Sequence, residues 1–183
     1  MSWTAATLGE ISDIQTGPFG SQLHSKDYTS GEGTPIVTVE HLGERKFTRQ
    51  NLPLVSDDDR NRLQRYTIRA GDIIFSRVGS VDRCSLAMDE NDGWLFSGRC
   101  LRIRPHRQVD SNYLYSYLTL PNVKQFIRNI AVGATMPSIN TAIMGEVPVS
   151  LPPLETQAAI GDFSRRLNDK IELNNLLNDY LAA

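Results

Sequence analysis

Leu151-Pro152-Pro153-Leu154-Glu155-Thr156-Gln157 is the stretch that decides how this chain is organised. Beyond it the sequence runs to Ala183 with no further proline, and Gly161 is its only glycine. Each proline ring crowds the residue before it out of the α region, so Leu151 and Pro152 are held extended. Proline is tolerated just inside a helix start, and Glu155 puts a negative charge in the first turn, where the helix dipole favours it. Ile160, Phe163, Leu167 and Ile171 then follow at steps of three, four and four, one face of a helix. Leu173, Leu176, Leu177, Tyr180 and Leu181 widen that face into a second, overlapping stripe. A helix of this length spans roughly 40 Å. The pattern predicts a rod whose Ile160, Phe163, Leu167, Ile171, Leu177 and Leu181 pack on a partner helix. The alternative is a helix packed wholly on its own domain.

The residues before the prolines read as a body of mixed secondary structure. Residues 3–14 carry Leu8, Ile11 and Ile14 at three-residue spacing, a short helix or turn. Gly17-Pro18-Phe19-Gly20-Ser21 is a rigid loop whose glycines permit close backbone approach. Residues 34–40 alternate and are β-branched, a strand ended by His41 and Gly43. Residues 57–66 are a polar helix candidate. Residues 66–69, a tight turn at 70–72 and residues 73–80 predict strand, turn, strand. Short strands follow at 85–88, 94–97 and 100–103, and the alternation about Ile103 predicts Arg102 and Arg104 on the solvent face. Residues 112–118 and 121–130 have helical spacing, their tyrosines reading as packing groups. Residues 133–140 form a polar loop, and residues 147–151 an edge-type strand. The predicted division is a body over 1–151 and a helix over 152–183. The fold class is α+β, a mixed or antiparallel sheet with packed helices.

At 183 residues, with 40% hydrophobic and 22% charged side chains, the chain suits one ordinary domain plus an appendage. It has no run of 18 apolar residues that would span a membrane. Its first residues lack the basic start and apolar core of a signal peptide, so a cytoplasmic location is expected. Cys84 and Cys100 fit neither metal-site spacing nor a disulfide framework, and two reduced core thiols are expected. The net charge of −2 conceals an uneven distribution, for residues 60–107 hold ten arginines, no lysine and five acids. A polyanionic partner would therefore meet a local, Arg-rich surface whose planar forks suit phosphate or guanine edges. The alternative is that these arginines pair with Asp57, Asp58, Asp59 and other acids on a solvated surface.

Catalytic patterns are missing from the sequence. No Ser/His/Asp, Cys/His or paired-carboxylate arrangement stands out, and His24, His41 and His106 have no ligand spacing around them. The Gly17–Ser21 loop lacks the Lys-Ser/Thr of a Walker loop. Pro152-Pro153 has neither a preceding Asp or Asn nor a following aromatic, so it is not a flipped-base methyltransferase site. No cofactor, metal or enzymatic activity is expected.

Several motifs nevertheless occur in a definite order. They are Trp3 with Leu8-Gly9-Glu10-Ile11, the Gly17–Ser21 loop, Gly33-Thr34-Pro35-Ile36, Gly71-Asp72-Ile73-Ile74 with Ser76-Arg77-Val78-Gly79-Ser80, Gly133 with Ile139-Asn140, and Val149 with Pro152-Pro153-Leu154-Glu155-Thr156-Gln157. Taken together they resemble a target-recognition domain and its following helix in the specificity (S) subunit of type I restriction–modification enzymes. Thr156 departs from the pattern, which commonly has Glu there. The resemblance implies a non-catalytic reader of double-stranded DNA that docks methyltransferase (M) subunits, with translocase–nuclease (R) subunits joining later. It implies two recognition domains joined by two long antiparallel helices, an antiparallel coiled coil, each domain reading one half of a split target. This sequence holds half of that plan, either as a half-length subunit that pairs with a second copy or as the first half of a longer chain. The resemblance also implies that certain loops share one face. The candidate DNA contacts are Ser21, Gln22, His24 and Lys26; Thr38 and His41; Arg77, Gly79, Ser80 and Arg83; Arg99; and Thr135 and Asn140. Two other readings stay open: an interaction scaffold with an oligomerising helix, and an RNA binder using Gly17–Gly20 as a backbone clamp.

Overall fold

Short apolar runs form ten strands among the described residues, which assemble as two four-stranded sheets and one two-stranded pair. The computed structural model describes residues 3–18 and 20–182, so Phe19 of the glycine-rich loop lies outside the described residues. The elements in order are β1 (Thr4–Thr7), α1 (Leu8–Ile11), β2 (Ser12–Thr16), β3 (Tyr28–Thr29), β4 (Thr34–Val37), β5 (Leu54–Val55), α2 (Asp57–Arg62), β6 (Ile73–Ser76), β7 (Cys84–Leu86), β8 (Leu95–Phe96) and β9 (Cys100–Pro105). They continue with α3 (Ser111–Leu118), α4 (Pro121–Ile130), α5 (Thr141–Gly145), β10 (Pro148–Leu151) and α6 (Leu154–Ala182). The first sheet has the order β2-β9-β6-β7 and the second β3-β5-β4-β8, while β1 pairs with β10. All pairings are antiparallel except β4 with β8. The fold is α+β, with antiparallel sheets, packed helices and a long C-terminal helix.

The first sheet is buried on both faces. Ile73, Phe75, Leu101 and Ile103 point to a core closed by α1, α3, α4 and α5, where Leu8, Leu114, Leu118, Ile127 and Met144 are fully buried. Ile74 and Cys100 point the other way, to a second core with Ile36, Val37, Val55, Leu95 and Phe96. This second layer corrects one expectation. Arg102 and Arg104 do lie opposite Ile103, but that face is covered and Arg102 is only 6% exposed. Arg104 donates from Nε and Nη2 to Asp72 at 2.8 and 2.7 Å, and both arginines donate to the carbonyl oxygen of Thr67.

Other boundaries also move. Residues 66–69 are not a strand; a 3₁₀ turn at Gln64–Tyr66 leads to a single bridge between Thr67 and Leu95. β6 stops at Ser76, whose hydroxyl donates to the Val78 carbonyl, and Gly79 turns the chain at a φ of 75°. Ile14 lies in β2 rather than in a helix, and α5 interrupts the stretch after Asn140. Tyr113 and Tyr115 are buried in the helical layer, as packing groups should be.

Helix α6 starts after the two prolines and is fastened by one buried side chain. Gln157, 3% exposed, accepts from the Asp110 amide at 3.0 Å and donates to the Pro152 carbonyl at 2.9 Å. It thereby satisfies the amide of the residue that caps α3, since Asp110 accepts in turn from the Tyr113 amide. Four residues on, Gly161 lets α6 press on the start of α3; a Cβ there would lie 2.8 Å from the Tyr113 nitrogen. Further along, the loop over 43–48 clasps the helix through Arg45–Asp169 at 2.9 Å and Lys46–Glu172 at 2.7 Å. Gln157, Gly161 and Asn168 share this body-facing side by helical periodicity. Phe163, Leu177 and Leu181 fall on the opposite side and are 69%, 50% and 80% exposed. No described helix is long and apolar enough to cross a membrane.

Replacing Gln157 with Ala leaves a buried amide without a partner, which costs about 1–3 kcal/mol. Urea denaturation followed by circular dichroism should show a lower midpoint for Gln157→Ala, and Thr156→Ala, a half-buried change with no such bond, should stay near the parent.

Candidate nucleic-acid interface

Strand direction collects a set of loops at one end of both sheets. β2 and β6 run toward this end and β9 starts from it, because Thr16 pairs with Leu101 and Ser76 with Cys100. β4 and β8 run side by side, and Ser97 follows β8 and donates its amide to the Val37 carbonyl at 2.9 Å. The segments after β2, β4, β6 and β8 therefore converge. Backbone contact locks them together. A Cβ on Gly17 would overlap the Ser97 carbonyl, and one on Gly98 would overlap the Pro18 carbonyl, so only glycine fits at either position. Arg77 donates its amide to the Arg99 carbonyl at 2.8 Å, and Ile139 donates to the Arg77 carbonyl at 2.9 Å.

These segments enclose an open cleft of about 550 Å³, lined by Pro18, Gly20, Leu23, Tyr28, Thr38, Val39, Glu40, His41, Asn51, Pro53, Arg77, Ser97, Gly98 and Arg99. His41 is buried, its Nδ1 2.9 Å from the Thr38 hydroxyl and accepting from the Thr38 amide at 3.2 Å, which fixes the ring at the cleft wall. Arg77 is half-buried, and one bond from Nη1 to the Gly98 carbonyl at 3.0 Å orients its fork while leaving most of its five donors free. Arg99 is exposed. Neither arginine makes an ion pair among the described residues, and Glu40 is the one carboxylate in the lining. Beneath the floor, burial pushes the Cys100 thiol up to about 12 despite the Ser97 hydroxyl and the nearby Arg99 charge. It is no nucleophile. Among the described residues no group of three or more His, Cys, Asp or Glu side chains is placed to hold a metal ion.

The structure brings together four of the thirteen candidate residues, Thr38, His41, Arg77 and Arg99, in the cleft itself. Gly79 and Ser80 adjoin it on the next turn, where the Gly79 amide donates to Pro137 at 2.8 Å. Ser21, Gln22, His24 and Lys26 do not line it. Gln22 is tied to the Tyr66 hydroxyl at 2.7 Å, and the His24 amide donates to Asp27 at 2.7 Å. Arg83 faces a separate hollow beside Cys84, Tyr115 and Lys124. Thr135 is exposed on the 133–138 turn, and Asn140 caps α5 by accepting from the Ile143 amide at 2.9 Å. Sequence reasoning missed Glu40, Tyr28 and Asn51. Of these Asn51 carried a signal, since its left-handed backbone, φ 56°, is one that asparagine tolerates in turns.

The comparisons with known proteins agree in kind. The family model described as "Type I restriction modification DNA specificity domain" matches residues 2–182. The specificity subunit of the type I restriction enzyme MjaVIII of Methanocaldococcus jannaschii is 20% identical over 176 residues, 93% of this chain and 40% of that one. The specificity subunit of the type I restriction enzyme HindI of Haemophilus influenzae is 28% identical over 183 residues, 98% of this chain and 38% of that one. The crystal structure of the HsdS subunit from Thermoanaerobacter tengcongensis superposes with a TM-score of 0.69 at 20% identity, over 93% of this chain and 38% of that one, a likeness of fold. The chain thus spans about two fifths of the length of these relatives.

Gly98→Ala should open the cleft floor, whereas Gly20→Ala, where an added Cβ meets nothing within 4 Å, should not. The readout is alkylation of Cys100 in the native protein, slow in the parent and in Gly20→Ala and at least several-fold faster in Gly98→Ala. Equal rates in all three would show that the floor does not depend on that contact.

Proposed function

The chain belongs to the type I restriction modification DNA specificity domain family, and from that premise we propose that its cleft reads one half of a split DNA target. The observation that carries this reading is the pair Arg77 and Arg99, two guanidinium groups free of carboxylate partners at the meeting point of the sheet-end loops. An arginine held by one carbonyl and open on its other donors suits a bidentate contact to the O6 and N7 edge of guanine. Glu40, across the same lining, is an acceptor of the kind that takes the amino group of cytosine. Phosphate contacts from neighbouring basic groups supply affinity, and these few side chains supply selection.

The helix belongs to the same proposal. Residues 1–151 act as the reader and residues 152–183 as a spacer. The outward stripe of Phe163, Leu167, Leu177 and Leu181 is the surface of a helix that lacks a partner, and a second recognition half, in another copy or in the rest of a longer chain, covers it as an antiparallel coiled coil. At 29 residues α6 reaches about 43 Å, enough to set two readers about one DNA turn, roughly 34 Å, apart. Methyltransferase subunits dock on this assembly and translocase–nuclease subunits join it, which makes the chain a non-catalytic part of a larger machine.

Selection from a random duplex pool, with the cognate methyltransferase subunit present, should return a split motif with a fixed gap. Arg99→Ala should relax one base position at a cost of about 1–3 kcal/mol; a uniform loss on every sequence would make Arg99 a phosphate contact instead. Four residues inserted after Asp179, past the clasp of the 43–48 loop, add about 6 Å and should lengthen the gap with the bases unaltered. An unchanged gap would remove the helix from the account.

A further inference from the structure

A second basic feature lies outside the cleft. A hollow of about 190 Å³ is lined by Arg60 and Asn61 of α2, Gln64 of the following turn, and Thr67 and Arg69. Arg60 and Arg69 are both exposed and make no ion pair among the described residues. Directly behind Thr67 stand Arg102 and Arg104, which donate to its carbonyl at 2.9 and 3.1 Å. Four guanidinium groups thus surround one short segment. The carboxylate among them, Asp72, is already committed, accepting from the Arg69 amide at 2.8 Å and from Arg104 at 2.8 and 2.7 Å. Arg102 is buried, and its Nε has no hydrogen-bond partner.

Burial lowers the pKa of Arg102, the Arg104 charge lowers it further, Asp72 opposes this, and Arg69 lowers it again. The Arg104 and Arg69 charges are thus only partly offset by Asp72. The donors that face the hollow are guanidinium forks and side-chain amides, the set that suits phosphate oxygens. Its position is tied to the loop that follows Gly20. Tyr66, from the turn between Gln64 and Thr67, donates its hydroxyl to Gln22 on the loop that follows Gly20, and Arg62 of α2 donates to the Gln22 carbonyl. Arg65 stacks on the Tyr66 ring, 4.5 Å from its centroid. Arg62 and Tyr66 thus join the wall of the hollow to the loop that carries Gly20 and Leu23 of the cleft.

We infer that the hollow lined by Arg60, Gln64, Thr67 and Arg69 is a phosphodiester site that grips the DNA backbone flanking the half-site read in the cleft. The inference rests on the DNA-reading function proposed above and adds to it a sequence-independent anchor. Arg102 and Arg104 supply the field from behind, and Arg60 and Arg69 make the contacts.

The test is the salt dependence of binding by the full chain to a mixed-sequence duplex of about three helical turns, because each phosphate contact contributes about 0.9 to the slope of log K against log salt. The double variant Arg60→Gln, Arg69→Gln should flatten that slope by about two with an unchanged circular dichroism spectrum. The pair is exposed, so the substitutions leave the core alone. An unchanged slope in this variant, alongside a reduced slope in Arg77→Gln, Arg99→Gln, overturns the inference and leaves the cleft reading in place. No salt-dependent duplex binding by the parent would overturn both. A thermal shift with inorganic pyrophosphate separates a free phosphate ligand from DNA: stabilisation of the parent that the double variant loses, with the duplex slope unchanged, assigns the hollow to a free ligand and also overturns the inference.

Discussion

Two backbones meet at Gly17 and Gly98 more closely than any side chain permits, and the arrangement of the cleft follows from that contact. Gly17 ends β2 in the first sheet, and Gly98 joins the second sheet to β9. Their close approach holds the loop ends of both layers together. It also places the Gly98 carbonyl where Arg77 can donate to it, so the same contact that closes the floor aims the guanidinium. Glycine pays in backbone entropy for such positions, and the two-layer packing of Ile74, Phe96 and Cys100 immediately behind offsets that cost.

Charge is arranged on a second constraint, the buried carboxylate of Asp72. It is 1% exposed, and breaking a buried, hydrogen-bonded ion pair from one side is costly because the remaining charge stays buried. Asp72 compensates Arg104 and, at 3.9 Å, Arg102. Arg62 is compensated by Asp59 and Asp27. The other seven arginines of residues 60–107 make no ion pair among the described residues, and the acids at 57 and 58 take no part. The uneven charge seen in the sequence is therefore a true surface property. Four of these arginines lie in two places, the cleft with Arg77 and Arg99 and the flank with Arg60 and Arg69, and Arg83 faces a third hollow.

What the sequence disclosed follows the range of the interactions involved. Helical periods over 112–118, 121–130 and 154 onward are local and were legible, as was the extended step at Pro152. The ends of strands were not, because Ser76 and Gly79 make a turn whose partners, Val78 and Pro137, depend on the fold. Arg102 and Arg104 were misjudged because alternation tells which face a residue is on and not whether a second layer covers it. In the site, Arg77, Arg99, Thr38 and His41 were readable as polar residues at strand ends. Gln22 and Asn140 looked equivalent, yet long-range contact with Tyr66 and local capping of α5 engage their side chains elsewhere. The clasp of α6 by Arg45 and Lys46 joins residues more than a hundred positions apart and left no local trace.

Where DNA lies on the body is the central claim, and site-specific photocrosslinking addresses it most directly. A photoreactive side chain at Glu40, in the cleft, and another at Thr119, in the separate hollow beside Cys84 and Tyr115, sample different surfaces. With a mixed-sequence duplex of about three turns, the account predicts a covalent DNA adduct from position 40 that disappears at high salt, and none from position 119. Adduct formation from position 119 with none from position 40 would place the DNA at that hollow instead of the cleft and contradict the account.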